Sequence, residues 1–234
     1  MLNILSYNIR SFRKNSDAFL PIIESSTPQV LILSETWFTD SFQPPINNYI
    51  GYHTIRSERQ SGGVSVYIGD SLHSRKIPQL SFINNNIEIC TVEITLNNEA
   101  IFIMGIYRPH SGTIEAFTGE LAGVLQNSLL RNRRCCITGD LNINLLQENI
   151  HNTQFVDTMQ SHHYFPVITR PTRFPSNDDH LPSLLDHIWC NSLNIFNSGI
   201  LSFDITDHCP IYLQIPLPCS EKENDEYVKI TFSS

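Results

Sequence analysis

The feature that most constrains this chain is a repeated one: short apolar runs, each long enough for one buried strand, end in a cluster of polar residues. The most telling case is Cys135-Cys136-Ile137-Thr138, which runs directly into Gly139-Asp140-Leu141-Asn142. A run of this length closed by glycine reads as a core strand whose last residues emerge at a rim, and the two-residue period puts Asp140 and Asn142 on one side. An acid and an amide in that relation suit phosphate chemistry. The carboxylate can orient or deprotonate a water while the neutral amide donates to a phosphoryl oxygen. By itself Asp-x-Asn is also the pattern of a turn or a helix cap.

Recurrence separates the two meanings. Leu2-Asn3-Ile4-Leu5-Ser6-Tyr7 ends in Asn8-Ile9-Arg10, and Val30-Leu31-Ile32-Leu33 ends in Ser34-Glu35-Thr36-Trp37. Ile101-Phe102-Ile103-Met104-Gly105-Ile106 ends in Tyr107-Arg108-Pro109. Phe203-Asp204-Ile205, read as a strand, leads through Thr206 into Asp207-His208-Cys209-Pro210, and Ser183-Leu184-Leu185-Asp186-His187-Ile188 completes the set.

With these residues in this order the chain resembles the endonuclease/exonuclease/phosphatase (DNase I-like) superfamily over residues 2 to about 216. Within it, the wording is most similar to the endonuclease domains of non-LTR (LINE-type) retrotransposons: Ser34-Glu35-Thr36-Trp37, Gly62-Gly63-Val64, Tyr107-Arg108-Pro109, Gly139-Asp140-Leu141-Asn142-Ile143-Asn144 and Asp207-His208-Cys209-Pro210-Ile211. Thr206 stands where that branch usually has Ser, and Arg10 stands where repair endonucleases carry an acid.

The resemblance implies an α/β fold, a four-layer sandwich of two packed, mainly antiparallel β-sheets flanked by helices. It implies an Mg²⁺-dependent (or Mn²⁺-dependent) hydrolase that nicks double-stranded DNA in the nucleus. The 3′ hydroxyl left behind would prime a reverse transcriptase domain carried by a longer parent protein. Glu35 would be the main metal ligand, with Asn8 and Asp207 beside it. Asp140 would orient the attacking water, held by Asn142. Tyr107, Asn8, Asn142 and His208 would donate to phosphoryl oxygens, with Asp186 orienting His208, and Ser183 and Thr206 are further candidate phosphate donors. The same core serves abasic-site repair endonucleases and phosphatases of soluble substrates, and a catalytically dead nucleic-acid-binding relic is the reading outside enzymology.

Composition agrees with one domain over 1–216. The chain has 234 residues, 41% of them hydrophobic, enough for a sizeable core. Residues 217–234 are polar, with four acids against two lysines, and read as an acidic tail or linker. No apolar run approaches the ~20 residues that span a bilayer, and the six cysteines lack C-x-x-C spacing. A membrane role is therefore not expected, and the cysteines read as reduced core residues of an intracellular protein. Zinc spacings are missing too, and hard oxygen ligands favour Mg²⁺ or Mn²⁺.

A net charge of -8 runs against the basic character of most nonspecific DNA binders. Basic residues nevertheless gather near the motif ends: Arg10, Arg13 and Lys14, then Arg56 and Arg59, Arg108, Arg170 and Arg173. Arg10, Arg56, Arg59, Arg108 and Arg173 are the expected contacts to backbone phosphates. Helical spacing predicts one short helix around Phe19 that ends before Pro28, and another over 114–130.

Overall fold

The computed structural model describes residues 1–56, 61–97, 99–175, 181–191 and 194–216. The proposed tail at 217–234 and Arg59 lie outside these residues. The first sheet is built from β1 (Leu2–Asn8), β2 (Val30–Ser34), β3 (Tyr49–Thr54), β4 (Val64–Gly69), β12 (Asn197–Ile200) and β13 (Ile211–Ile215), in the order β12-β13-β1-β2-β4-β3. The second uses β5 (His73–Lys76), β6 (Phe82–Ile83), β7 (Glu88–Leu96), β8 (Glu99–Tyr107), β9 (Arg134–Asp140), β10 (Phe165–Pro166) and β11 (Asp186–Cys190). Its order is β10-β11-β9-β8-β7-β5, with β6 also on β7. In each sheet one central pair is parallel, β1 with β2 and β8 with β9, and the remaining pairs are antiparallel.

The apolar runs explain the layering. Central strands such as β2 are buried at every residue, so both faces need a cover. Between the sheets lie Ile4, Val30, Ile32 and Val66 against Val92, Ile103, Cys136 and Ile188. Helix α1 (Phe12–Ser26) covers the outer face of the first sheet through Phe19 and Ile23, which meet Tyr7, Leu31 and Leu33. Helices α2 (Ile114–Leu125) and α3 (Ile150–Ser161) cover the second sheet through Phe117, Leu121, Phe155 and Met159. Helix, sheet, sheet and helices make the four expected layers. Full burial of each such side chain contributes roughly 1.5–3 kcal/mol, which places the stability of the fold in these layers and not in its rim. No described helix is long and apolar enough to cross a membrane.

Three expected elements differ. The second predicted helix stops at Leu125, and Asn127 caps a separate short turn over Ser128–Leu130. Residues 203–205 join neither sheet, since β13 takes its antiparallel partner from residues 197–200. Asp186 begins its strand where the other motifs end theirs. It reaches the same rim because β11 runs antiparallel to β9, with Asp186 opposite Asp140.

Candidate active site

The parallel pairs deliver their polar ends to one edge. Asn8 is opposite Ser34, so Glu35 follows immediately, and Tyr107 is opposite Asp140. Asn8 ties the two sheets together, its Nδ2 donating to Glu35 Oε1 at 2.8 Å and to Asp140 Oδ2 at 2.8 Å. Gly139 is required just below. With φ at 148°, a Cβ there would sit 1.8 Å from the Ile106 carbonyl oxygen.

Asp140, Asp186 and His208 are all buried, and their ligand atoms lie within 4.8 Å of one another, a group that could hold a metal ion. His208 Nδ1 pairs with Asp186 Oδ2 at 2.8 Å, leaving Nε2 4.0 Å from Asp140 Oδ2. Burial opposes the charged imidazole, but Asp186, by charge and hydrogen bond, outweighs it with help from Asp140 and Asp207 and lifts the pKa to about 9. His208 gives Nδ1 to Asp186, and the oxygens gathered around Asn8, those of Glu35 and Asp140 with its own Oδ1, form a hard set suited to Mg²⁺ or Mn²⁺. Burial, then the Asp186 charge, pushes Asp140 well above the ordinary carboxylate range against the pull of His208 and Asn8. The pocket holds more negative charge than its own cations relieve, which a divalent ion would offset. Tyr107 is buried and its phenol is held neutral, by burial first and by the neighbouring acids second. It is a donor at any working pH.

Asp207 stands apart from the expected metal set, because its carboxylate is already taken by Arg10 Nη1 at 2.5 Å and Arg173 Nε at 2.7 Å. Partial burial would raise its pKa, yet Arg173 and Arg10 win and hold it below the usual range. Thr206 spends its hydroxyl on the turn. It receives Tyr7 Oη at 3.1 Å and His208 N at 3.2 Å and lies 3.3 Å from the Asn8 carbonyl. Ser183 is buried and pairs through its main chain with Arg173. Asn142 has a positive φ of 50° and donates through Nδ2 to the Arg108 carbonyl at 2.8 Å, while its N–H reaches Asp140 Oδ1 at 3.0 Å.

Two arginines expected on a DNA groove are committed inside the protein. Arg108 is buried, donating to the carbonyls of Leu141, Gly112 and Asn142 at 2.8, 2.8 and 2.6 Å. Arg56 pairs with fully buried Glu88, Nη2 to Oε1 at 2.7 Å, and also donates to the Asn84 carbonyl. A charge written in a sequence carries no mark of burial, so pattern alone offers both to a phosphate backbone.

Three supporting residues escaped the sequence reading. Glu88 accepts the Gly63 N–H, and the carbonyls of Gly63 and Gly62 receive the N–H groups of Thr36 and Trp37, so Glu88 braces the loop that carries Glu35. A Cβ on Gly62 would meet Glu88 Oε1 at 2.6 Å, and one on Gly63 would meet Thr36 Oγ1 at 2.8 Å. Thr172, fully buried, donates to Asp186 Oδ2 at 2.8 Å and accepts the N–H groups of Leu185 and Asp186. His187, on the opposite face of β11, lies with Nε2 2.9 Å from the Ile143 carbonyl and 3.2 Å from that of Leu184. Glu88 carried a signal, a lone acid opening the apolar run that follows it. Thr172 and His187 carried none.

A model of the endonuclease/exonuclease/phosphatase family matches residues 5–208. Among solved structures, the endonuclease domain of TRAS1, a telomere-specific non-LTR retrotransposon, superposes with a TM-score of 0.75 at 18% identity, covering 93% of this chain and 99% of that one. The AP endonuclease LMAP from Leishmania major gives 0.74 at 16% identity, covering 92% and 88%. D. rerio TDP2 complexed with a single-strand DNA product gives 0.67 at 13%, covering 91% and 97%. No curated protein matches the chain in sequence.

Proposed function

Because the chain belongs to the endonuclease/exonuclease/phosphatase family, we propose that it is a metal-dependent phosphodiesterase that nicks double-stranded DNA and leaves a 3′ hydroxyl. The observation that carries this reading is the convergence of Asn8, Glu35, Tyr107, Asp140, Asp186 and His208 from both sheets onto one rim. Asp140, pushed toward neutrality, takes a proton from the attacking water. His208, protonated and aimed by Asp186, donates through Nε2 to a phosphoryl oxygen, and the neutral Tyr107 phenol donates to another. Water oxygen bonds to phosphorus as the bond from phosphorus to O3′ breaks, and O3′ leaves with the bonding pair and takes up a proton from solvent to become the 3′ hydroxyl. Arg10 and Arg173, shared with Asp207, turn a cationic edge toward the flanking backbone. Mg²⁺ or Mn²⁺, held by Glu35 and Asn8, would supply neutralisation of phosphate charge when bound.

Likeness to the TRAS1 domain supports a place in target-primed reverse transcription, in the nucleus and beside a reverse transcriptase domain of a longer parent protein. Likeness of equal quality to LMAP supports a second reading, incision at abasic sites. Supercoiled plasmid incubated with Mg²⁺, with and without EDTA, tests both. We expect EDTA-sensitive conversion to open circles whose ends a polymerase extends. Cleavage confined to an abasic oligonucleotide would select the second reading, and hydrolysis of inositol phosphates without any action on DNA would overturn both.

A further inference from the structure

We propose that Trp37 and Arg13 form a subsite that stacks one accessible nucleobase of the DNA strand flanking the scissile phosphate; this rests on the DNA-nicking reading. Trp37 is 38% exposed, whereas Trp189, the second of two tryptophans, is fully buried. Its φ is 56°, a left-handed conformation that a bulky side chain adopts only under constraint. The constraint is visible. Thr36 and Phe38 on either side are buried, and the Trp37 N–H is tied to the Gly62 carbonyl at 3.0 Å. The indole is thus held outward by a fixed backbone and is not a loose surface residue.

A recess of about 160 Å³ opens beside it, walled by Ser11, Arg13, Trp37, Thr39 and Phe42. Arg13 stands over the Phe42 ring, its guanidinium carbon 4.2 Å from the centroid, and its side chain is exposed. The recess adjoins the candidate site directly, since Ser11 N donates to the Glu35 carbonyl at 2.8 Å. Exposed Arg13 and Lys14 with half-exposed Arg10 give this edge a positive rim. An aromatic face beside guanidinium groups, next to a phosphate-cleaving centre, fits a ligand that is itself flat, aromatic and anionic along its backbone. A nucleotide has that chemistry. An apolar protein segment would leave the cations unanswered. The base offered must be unstacked or unpaired, because the faces of a paired base are covered by its neighbours.

The indole is its own reporter. A duplex carrying one unpaired nucleotide beside the cleavage position, titrated in EDTA, is expected to quench Trp37 emission, and a fully paired duplex is expected to quench it less. In nicking of the duplex that carries the unpaired nucleotide, Trp37→Ala should raise the KM for DNA about tenfold or more, the scale of one lost base-stacking contact, with kcat held within about twofold. Trp37→Phe should recover most of the loss, and Arg13→Ala should raise KM with the fluorescence response of Trp37 retained. A Trp37→Ala protein that melts like the parent and nicks with unchanged KM overturns the subsite. Failure of the parent protein to nick any DNA would instead remove the reading on which the proposal rests.

Discussion

Asp140, Asp186 and His208 are at most 2% exposed, and the two acids face each other across registered strands. Arg10, Glu35 and Trp37, on the same rim, lie on loops with φ values of 44°, 52° and 56° and reach solvent. One half of the site is therefore a dry, hydrogen-bonded arrangement that sets protonation states. The other is a strained, braced and accessible edge, the side on which the proposed reading puts ion and substrate. Each kind of chemistry has taken the backbone that suits it: proton transfer needs low dielectric and fixed partners, and substrate contact needs reach and tolerated strain.

The largest expected effect falls on the buried half. Asp140→Asn and His208→Ala should each lower nicking about 10²–10⁴-fold, the usual scale for a lost general acid or base. Asp140→Asn should also lower the thermal midpoint modestly, because its amide NH2 must face one of the two donors, Asn8 Nδ2 or the Asn142 N–H, that the carboxylate accepts. Nicking by either variant at the parent rate would break the comparison at its root.

The second prediction concerns the back of the same half. Burial lowers the His187 pKa to about 4 against the opposing pull of the Leu184 and Ile143 carbonyls, so the ring is neutral in the folded protein. A folded pKa below the unfolded value of about 6.5 means that its stabilisation is complete above pH 6.5 and is lost as pH falls toward 4. His53, also lowered to about 4, by burial and by Lys76, acts with the same sign. For His187 the shift corresponds to about 3 kcal/mol. Urea midpoints measured between pH 7 and pH 4 should fall less steeply in His187→Gln than in the parent, and parallel curves would show that the histidine is not held neutral.

What was legible in the sequence follows the same division. Asn8, Glu35, Tyr107, Asp140, Asp186 and His208 stood out because phosphate chemistry demands particular residue types at strand ends, and strand ends show in a single sequence as breaks in apolar runs. Their supports did not stand out. Thr172 reaches Asp186 across 14 residues and His187 reaches Ile143 across 44, and pairing over such distances is fixed by sheet order. The rim arginines failed for a related reason. Arg56 and Arg108 carry the same letter as Arg10, and only the packing around Glu88 and the Leu141 carbonyl turns them inward.

Glu88 sharpens the comparison because it is a buried residue in service of the open half. Glu88→Gln keeps the shape but turns an amide toward Arg56, loosening the Gly62-Gly63 brace under Glu35. The apparent Mg²⁺ affinity in nicking assays should fall about tenfold, the lower end of what loss of a ligand-orienting contact costs, with the DNA requirement unchanged. An unaltered Mg²⁺ titration would show that the loop holds Glu35 without this brace.

The smallest expected effect is at Arg10, which lies where the two halves meet. Its guanidinium spends one N–H on Asp207 and is otherwise 41% exposed along the side chain, so it can hold Asp207 and still face a backbone phosphate. On the proposed reading, Arg10→Ala removes one phosphate contact. Affinity for DNA should drop only a few-fold, with the slope of log K against log salt shallower by about 0.9. The same change leaves Asp207 with Arg173 alone, so its carboxylate becomes no worse a neighbour for a cation, and the Mg²⁺ response should stay level or improve slightly. The measurement is nicking rate against DNA concentration at two salt levels beside an Mg²⁺ titration. An Arg10→Ala protein with unchanged DNA dependence and a weakened Mg²⁺ response would place Arg10 among the supports of the ion, and the division between a protonating half and a substrate-facing half would then have to be redrawn through Asp207.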